Sequence, residues 1–146
     1  MDNIRITLPL FILFLPLFSF IILIFFGKKL PRQGDWVAVG SIVATFFFAL
    51  FLFIQMILEY DPGFSHGASF SWIDLDAFKI DLGILVDNVT VVMLLIVTLV
   101  SSCTHIFSLK YMEGDIRYSR YFAYLGLFTF SMNGIVLADN LISMYM

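Results

Sequence analysis

The chain has 146 residues, 61% of them hydrophobic and 13% charged, with 18 phenylalanines and a formal net charge of -3. A water-soluble domain of this size buries only about two-thirds of its extended surface, so an apolar excess this large would be left facing water. A bilayer removes that conflict, and the eight basic residues form no dense cluster, so no nucleic-acid partner is indicated.

Four long uncharged stretches stand out, 8–26, 37–58, 89–107 and 121–138. At about 1.5 Å per residue each matches the roughly 30 Å hydrocarbon layer. Backbone groups in lipid must be paired within their own segment, and the alternation of barrel strands is missing, so all four are read as transmembrane helices. The expected fold class is all-α, a polytopic transmembrane helix bundle of four complete helices plus the start of a fifth, with a β-hairpin in the outer loop. The first stretch is too long for a secretory signal, lacks a basic n-region and ends in Gly27-Lys28-Lys29, so it is expected to stay in the chain. Pro9 lies near its start and is tolerable there, whereas Pro16 is mid-span and should kink it. In the second stretch Gly40 and Ala44, with Ser41 and Thr45 beside them, would permit close approach of a neighbouring helix.

The connections carry the charge, unevenly. Lys28, Lys29 and Arg32 follow the first stretch, and Lys110, Arg117 and Arg120 follow the third. Between the second and third, Glu59, Asp61, Asp74, Asp76, Asp81 and Asp87 face Lys79 alone. Basic residues collect on the cytoplasmic side. With helices alternating in direction, 27–36 and 108–120 are therefore expected in the cytoplasm, and the N-terminus and the 59–88 loop outside. That loop is too long to be structureless. Phe78, Ile80 and Leu82 alternate with Lys79 and Asp81, and 70–75 could pair with them across Asp76-Ala77, after a turn at Pro62-Gly63. Its carboxylates have no histidine at ligand spacing, so they read as a solvated face and no metal is expected.

In the third stretch Thr90, Thr98, Ser101, Ser102, His105 and Ser108 recur at steps of three or four, a polar stripe that should face protein or water, not lipid. Leu94 is assigned to another part of that helix's surface, and Cys103 reads as a buried small hydrophobe. His105 is the ionisable residue inside the spans; it could relay a proton near neutral pH or simply hydrogen-bond a neighbouring helix. In the fourth stretch Gly126, Asn133 and Gly134 read as packing positions. No phosphate-binding loop, cysteine pair, histidine cluster or nucleophile with a base occurs, so no cofactor, no metal and no catalytic chemistry are expected in this chain itself. Asp139-Asn140 has the character of a helix cap and an apolar run follows, so a fifth helix, truncated, is expected from 139.

Several runs also resemble a known family. They are Leu85-Val86-Asp87-Asn88-Val89-Thr90, His105-Ile106-Phe107-Ser108, Tyr111-Met112-Glu113-Gly114-Asp115, Tyr118-Ser119-Arg120-Tyr121-Phe122-Ala123-Tyr124-Leu125 and Leu137-Ala138-Asp139-Asn140-Leu141. Together they resemble the N-terminal part of the antiporter-like chain 5, or subunit L, of NADH:quinone oxidoreductase, respiratory complex I. The match is specific from 85 to 146 and rests on hydropathy and topology before that; Lys110 departs from the small residue of the pattern. The resemblance implies a subunit contributing to ion translocation coupled to quinone reduction. Its partners would be the lipid bilayer and other membrane subunits, with NADH and quinone bound elsewhere in the complex. It implies an inner or cytoplasmic membrane and an outside N-terminus. The family's buried proton carriers would lie beyond Met146, so His105 alone is carried forward as a candidate. The alternatives are the large subunit of a multisubunit sodium/proton antiporter and a non-catalytic membrane scaffold.

Overall fold

The computed structural model describes residues 2–27, 29, 34–58, 65–75, 78–139 and 144–145. Helix α1 runs Asp2–Phe26, α2 Asp35–Leu58, α3 Asn88–Tyr111 and α4 Tyr118–Leu137, with strands β1 Ser65–Leu75 and β2 Phe78–Asp87 between α2 and α3. The helices begin earlier or end later than hydropathy alone suggests, because polar residues at the ends of a span can still continue its backbone ladder in the interfacial zone. Pro9 is consequently inside α1 and not at its start, and α1 runs unbroken through both prolines.

Helix α1 packs between α2 and α4, and α3 closes the ring by touching α2 and α4. Each chain neighbour is antiparallel to the last, so both basic connections gather at one end of the bundle. There Lys29, Arg117 and Arg120 line a common cleft. The hairpin occupies the other end, where Ile84 of β2 bridges to Ala138 and the Asp139 N–H donates to the Gly83 carbonyl at 3.3 Å.

The hairpin pairs antiparallel from Ser65↔Asp87 to Leu75↔Phe78, bracketing Asp76-Ala77, with an irregularity between Ser71 and Ile73 that inserts Trp72 into β1. It is longer than the expected 70–82 and feeds straight into α3. The Pro62-Gly63 turn, Glu59, Asp61, Lys28, Arg32 and 140–143 lie outside the described residues; beyond them Met144 and Tyr145 are helical.

The side-chain arrangement differs from that of a soluble protein mainly on the outside. The surface carries the large apolar groups, among them Phe11, Phe14, Phe18 and Phe25 of α1 and Ile96, Val100 and Phe107 of α3. The interior holds two apolar clusters and a polar seam. One cluster joins Ile12, Ala49, Leu52, Val86, Val91, Leu94 and Leu137; the other joins Leu23, Ala38, Tyr118, Phe122 and Ala123. Lipid solvates the outer hydrocarbon, so the helices meet through small and hydrogen-bonding residues. Three helical segments, Thr7–Phe26, Asp35–Leu58 and Asn88–Tyr111, are long and apolar enough to cross a membrane by themselves. Helix α4 is as long as a span but more polar, and three of its polar side chains, Ser119, Thr129 and Asn133, are buried, while Ser131 is exposed and bonds back to the Leu127 carbonyl.

Three expectations are corrected here. Leu94 is fully buried, because positions 91, 94, 98, 102 and 105 form one inward arc at helical spacing. Cys103 is exposed, since it follows Ser102 by about 100° around the helix and shares the lipid-facing side with Val100 and Phe107. Gly40 also faces outward with open space beside it, so the close approach expected there is not made; α2 buries Ala38, Ile42, Thr45, Ala49 and Leu52 instead. Gly126 does mark a close approach, since a β-carbon there would lie 3.3 Å from the Pro16 carbonyl oxygen.

Candidate functional site: the buried polar seam

The start of α3 is fixed by its own sequence. Asp87 adopts extended backbone and its Oδ1 accepts the Thr90 N–H at 2.7 Å, a capping bond that satisfies a donor the helix cannot pair internally. That bond holds the Asp87 carboxyl below its ordinary value of 3.8.

Along α3 the polar stripe turns inward. Thr90, Thr98, Ser102, His105 and Ser108 are buried and Ser101 is partly so. Two of these hydroxyls bond back to their own helix: Thr98 Oγ1 donates to the Leu94 carbonyl at 2.7 Å and Ser102 Oγ to the Thr98 carbonyl at 2.8 Å. Others cross to α4. Ser101 Oγ lies 2.6 Å from Thr129 Oγ1, which itself donates to the Leu125 carbonyl at 3.0 Å, so Ser101 is the donor to Thr129. Nearer the basic end Ser108 Oγ and Tyr121 Oη are 3.0 Å apart.

His105 is the hub of this seam and has no solvent exposure. Its Nδ1 is 2.8 Å from the Ser101 carbonyl oxygen and 3.4 Å from Ser101 Oγ. A carbonyl only accepts, so Nδ1 carries the proton and gives it to the Ser101 carbonyl, while the Ser101 hydroxyl beside it starts a separate directed chain through Thr129 to the Leu125 carbonyl. In the neutral ring Nε2 is then a bare acceptor. It is buried and has no hydrogen-bond partner among the described residues. The ring packs against Phe122, with centroids 6.1 Å apart. Chemically, the arrangement fixes a tautomer and presents one lone pair to the interior.

A second polar crossing lies on the α1 side. Asn133 is fully buried, and its Nδ2 donates to the Ile12 carbonyl at 3.4 Å. That carbonyl is the one whose α-helical donor would be the N–H of Pro16, which proline lacks. Asn133 thus supplies a bond that α1 cannot make for itself. At the basic end, Tyr118 Oη donates to Oδ2 of the buried Asp35 at 3.3 Å, tying the start of α4 to the start of α2.

Of these groups, sequence reasoning singled out the α3 stripe and His105. It treated Asn133 as packing and passed over Thr129, Tyr121, Asp35 and Tyr118. For Asn133 a signal was present: a mid-span proline frees the carbonyl four residues before it, and a buried carboxamide is the natural donor.

Comparison with known proteins bears on the same segment. Residues 72–122, from within β1 into α4 and including His105, match the family described as NADH-Ubiquinone oxidoreductase (complex I), chain 5 N-terminus. The chain is 41% identical over 138 residues to a NADH-ubiquinone oxidoreductase chain 5 of Chondrus crispus, covering 94% of this chain and 20% of that protein. It is 40% identical over 138 residues to the chain 5 of Trichophyton rubrum, covering 94% and 21%. It is 35% identical over 143 residues to the NADH-quinone oxidoreductase subunit L of Rickettsia bellii (strain RML369-C), covering 95% and 22%. The chain therefore spans about a fifth of the length of the curated relatives it matches.

Proposed function

We propose, for a chain that carries the chain 5 / subunit L N-terminal region of complex I, that it works as part of a membrane subunit of a proton-pumping NADH:quinone oxidoreductase. It is an integral membrane protein. The observation that carries the reading is likeness along nearly the whole chain: 94 to 95% of it aligns to chain 5 and subunit L proteins at 35 to 41% identity. Likeness in hydropathy alone would not extend through the charged connection, where the family match continues.

In this reading the chain contributes helices to an ion-translocating subunit, with NADH and quinone bound elsewhere in the complex and the other membrane subunits as partners. The membrane is the inner or cytoplasmic one. The N-terminus and the hairpin face outside, and the two basic connections face the cytoplasm or its equivalent. His105 serves first as an interior polar contact, bonded to Ser101 of its own helix and packed on Phe122 of α4 beside the Ser101–Thr129 crossing. Its bare Nε2 is the atom through which any proton transfer in this segment would pass.

The test is co-migration. Membranes solubilised in mild detergent are resolved by native electrophoresis, and the chain is located with an antibody against 108–120. It should travel with the band that reduces a tetrazolium dye at the expense of NADH. Migration in a large complex without that activity would move the assignment to a multisubunit antiporter, and migration alone would leave only a scaffold.

A further inference from the structure

At the basic end of the bundle a cleft of about 780 Å³ opens between the end of α1 and the start of α4. Its walls are of two kinds. Leu23, Ile24 and Phe25 supply hydrocarbon, with Phe25 73% exposed, while Lys29, Arg117 and Arg120 supply positive charge. We propose that this cleft binds the phosphate headgroup of an anionic phospholipid, with its acyl chains laid against Ile24 and Phe25.

Three observations converge on that ligand. Among the described residues none of the three cations is paired with a carboxylate: the ion pair present is Lys110 with Glu113, and the Asp115 carboxylate takes the Arg117 backbone N–H at 2.6 Å, not its guanidinium. Uncompensated charge gathered around one cleft calls for an anion. The positive end of α4 also borders the cleft through Arg117 and Ser119, although the Asp115 carboxylate already accepts the Arg117 N–H there. A free phosphate ion would use the cations but not the apolar wall, whereas an anionic lipid uses both, at the depth where a headgroup lies beside the end of a span.

The cleft is also held in shape. Ser119 Oγ donates to the Leu23 carbonyl at 3.3 Å, joining the two helices at its floor. Gly27 makes that contact possible, because a β-carbon there would run into Ser119 Oγ. The inference needs only that the chain lies in a membrane, and does not depend on the complex to which it is assigned.

The experiment uses the full-length membrane protein in phosphatidylcholine nanodiscs containing a minor fraction of phosphatidylglycerol with a photoreactive acyl chain. Labelling should map to 23–25 and exceed that from a phosphatidylcholine probe. Lys29→Gln, Arg117→Gln and Arg120→Gln should each lower it by roughly fivefold, the effect of one basic residue near an anionic surface. Lys110→Gln, which removes an exposed cation outside the cleft, should not. Raised salt should weaken labelling, and inorganic phosphate should weaken it no further than sodium chloride of the same ionic strength. Equal labelling by both lipids, indifference to all three substitutions, loss of labelling in inorganic phosphate beyond that in sodium chloride of equal ionic strength, or crosslinks from the cleft to protein alone would each overturn the proposal.

Discussion

Asn133 of α4 donates its carboxamide to the Ile12 carbonyl of α1, one helical turn before the proline that leaves that carbonyl without a backbone partner. The bond and the proline therefore belong together, which makes them separable by a double-mutant cycle. Asn133→Leu should lower the stability of the detergent-solubilised protein by about 0.6 kcal/mol and at most about 1.7 kcal/mol, the range for hydrogen bonds between membrane helices. Pro16→Ala restores the missing N–H, so Asn133→Leu should cost less in that background. An undiminished loss would mean that Asn133 acts through packing alone.

The approach of Asp139 to β2 predicts a specific intolerance. A β-carbon at Gly83 would run into the Asp139 carboxylate, so Gly83→Ala should loosen the hairpin from the end of α4. Limited proteolysis of the detergent-solubilised protein should then cut within 59–88 faster than in the parent protein. Adding Asp139→Gly should return the rate toward its original value; if it does not, the strain lies elsewhere.

Asp87 gives a pH-dependent contribution whose sign follows from its capping bond. The folded carboxyl titrates below 3.8, so the stabilisation is complete above that value and is lost as the pH falls through the lower, folded value. Asp87→Ala should cost about 1 kcal/mol near neutral pH. Thermal melts by circular dichroism should show the gap between parent and variant narrowing in strong acid. A gap that widens there would contradict the capping role.

Topology can be read by chemical access. The exposed Cys103 is first replaced by Ala, and single cysteines are placed at Ser69 in the hairpin and at Glu113 in the connection between α3 and α4. Glu113 suits the purpose because its side chain is exposed, whereas Ser119 is buried against α1. A membrane-impermeant maleimide added to intact cells should label position 69 and spare position 113. The opposite pattern would invert the orientation.

The seam predicts no conduction by these helices alone. His105 lies toward the basic end and Asp139 at the hairpin end, on different segments, and a charge at the centre of a span costs about 2.5 to 3.5 kcal/mol on insertion scales. Liposomes carrying the 146-residue chain should hold an imposed pH gradient as long as empty ones do. A leak abolished by His105→Ala would show a path through the bare Nε2.

The spans and the hairpin were legible because their signals are local: long apolar runs, period-two alternation and charge in the connections. Helix ends were less so, since Asp2 to Thr7 and Ser108 to Tyr111 are polar enough to read as connection yet extend their helices. The polar stripe of α3 was visible through its spacing, but following only its polar members concealed that Leu94 belongs to the same buried arc. The same narrow view put Cys103 on the wrong side. The pairings of Asn133 with Ile12 and of Tyr118 with Asp35 join residues 121 and 83 positions apart, and no local pattern encodes which distant acceptor a donor will find.

The polarity of α4 has a consequence for how the protein is made. Ser119 and Asn133 find their acceptors on α1, and Thr129 finds its partner on α3. Until α1 stands beside it, α4 emerging from the ribosome would present Ser119 and Asn133 to lipid without these acceptors, whereas Thr129 already donates to the Leu125 carbonyl of its own helix. These two bonds become available only after α1 has already been made, so the order of synthesis places the acceptor in the membrane before its donor arrives.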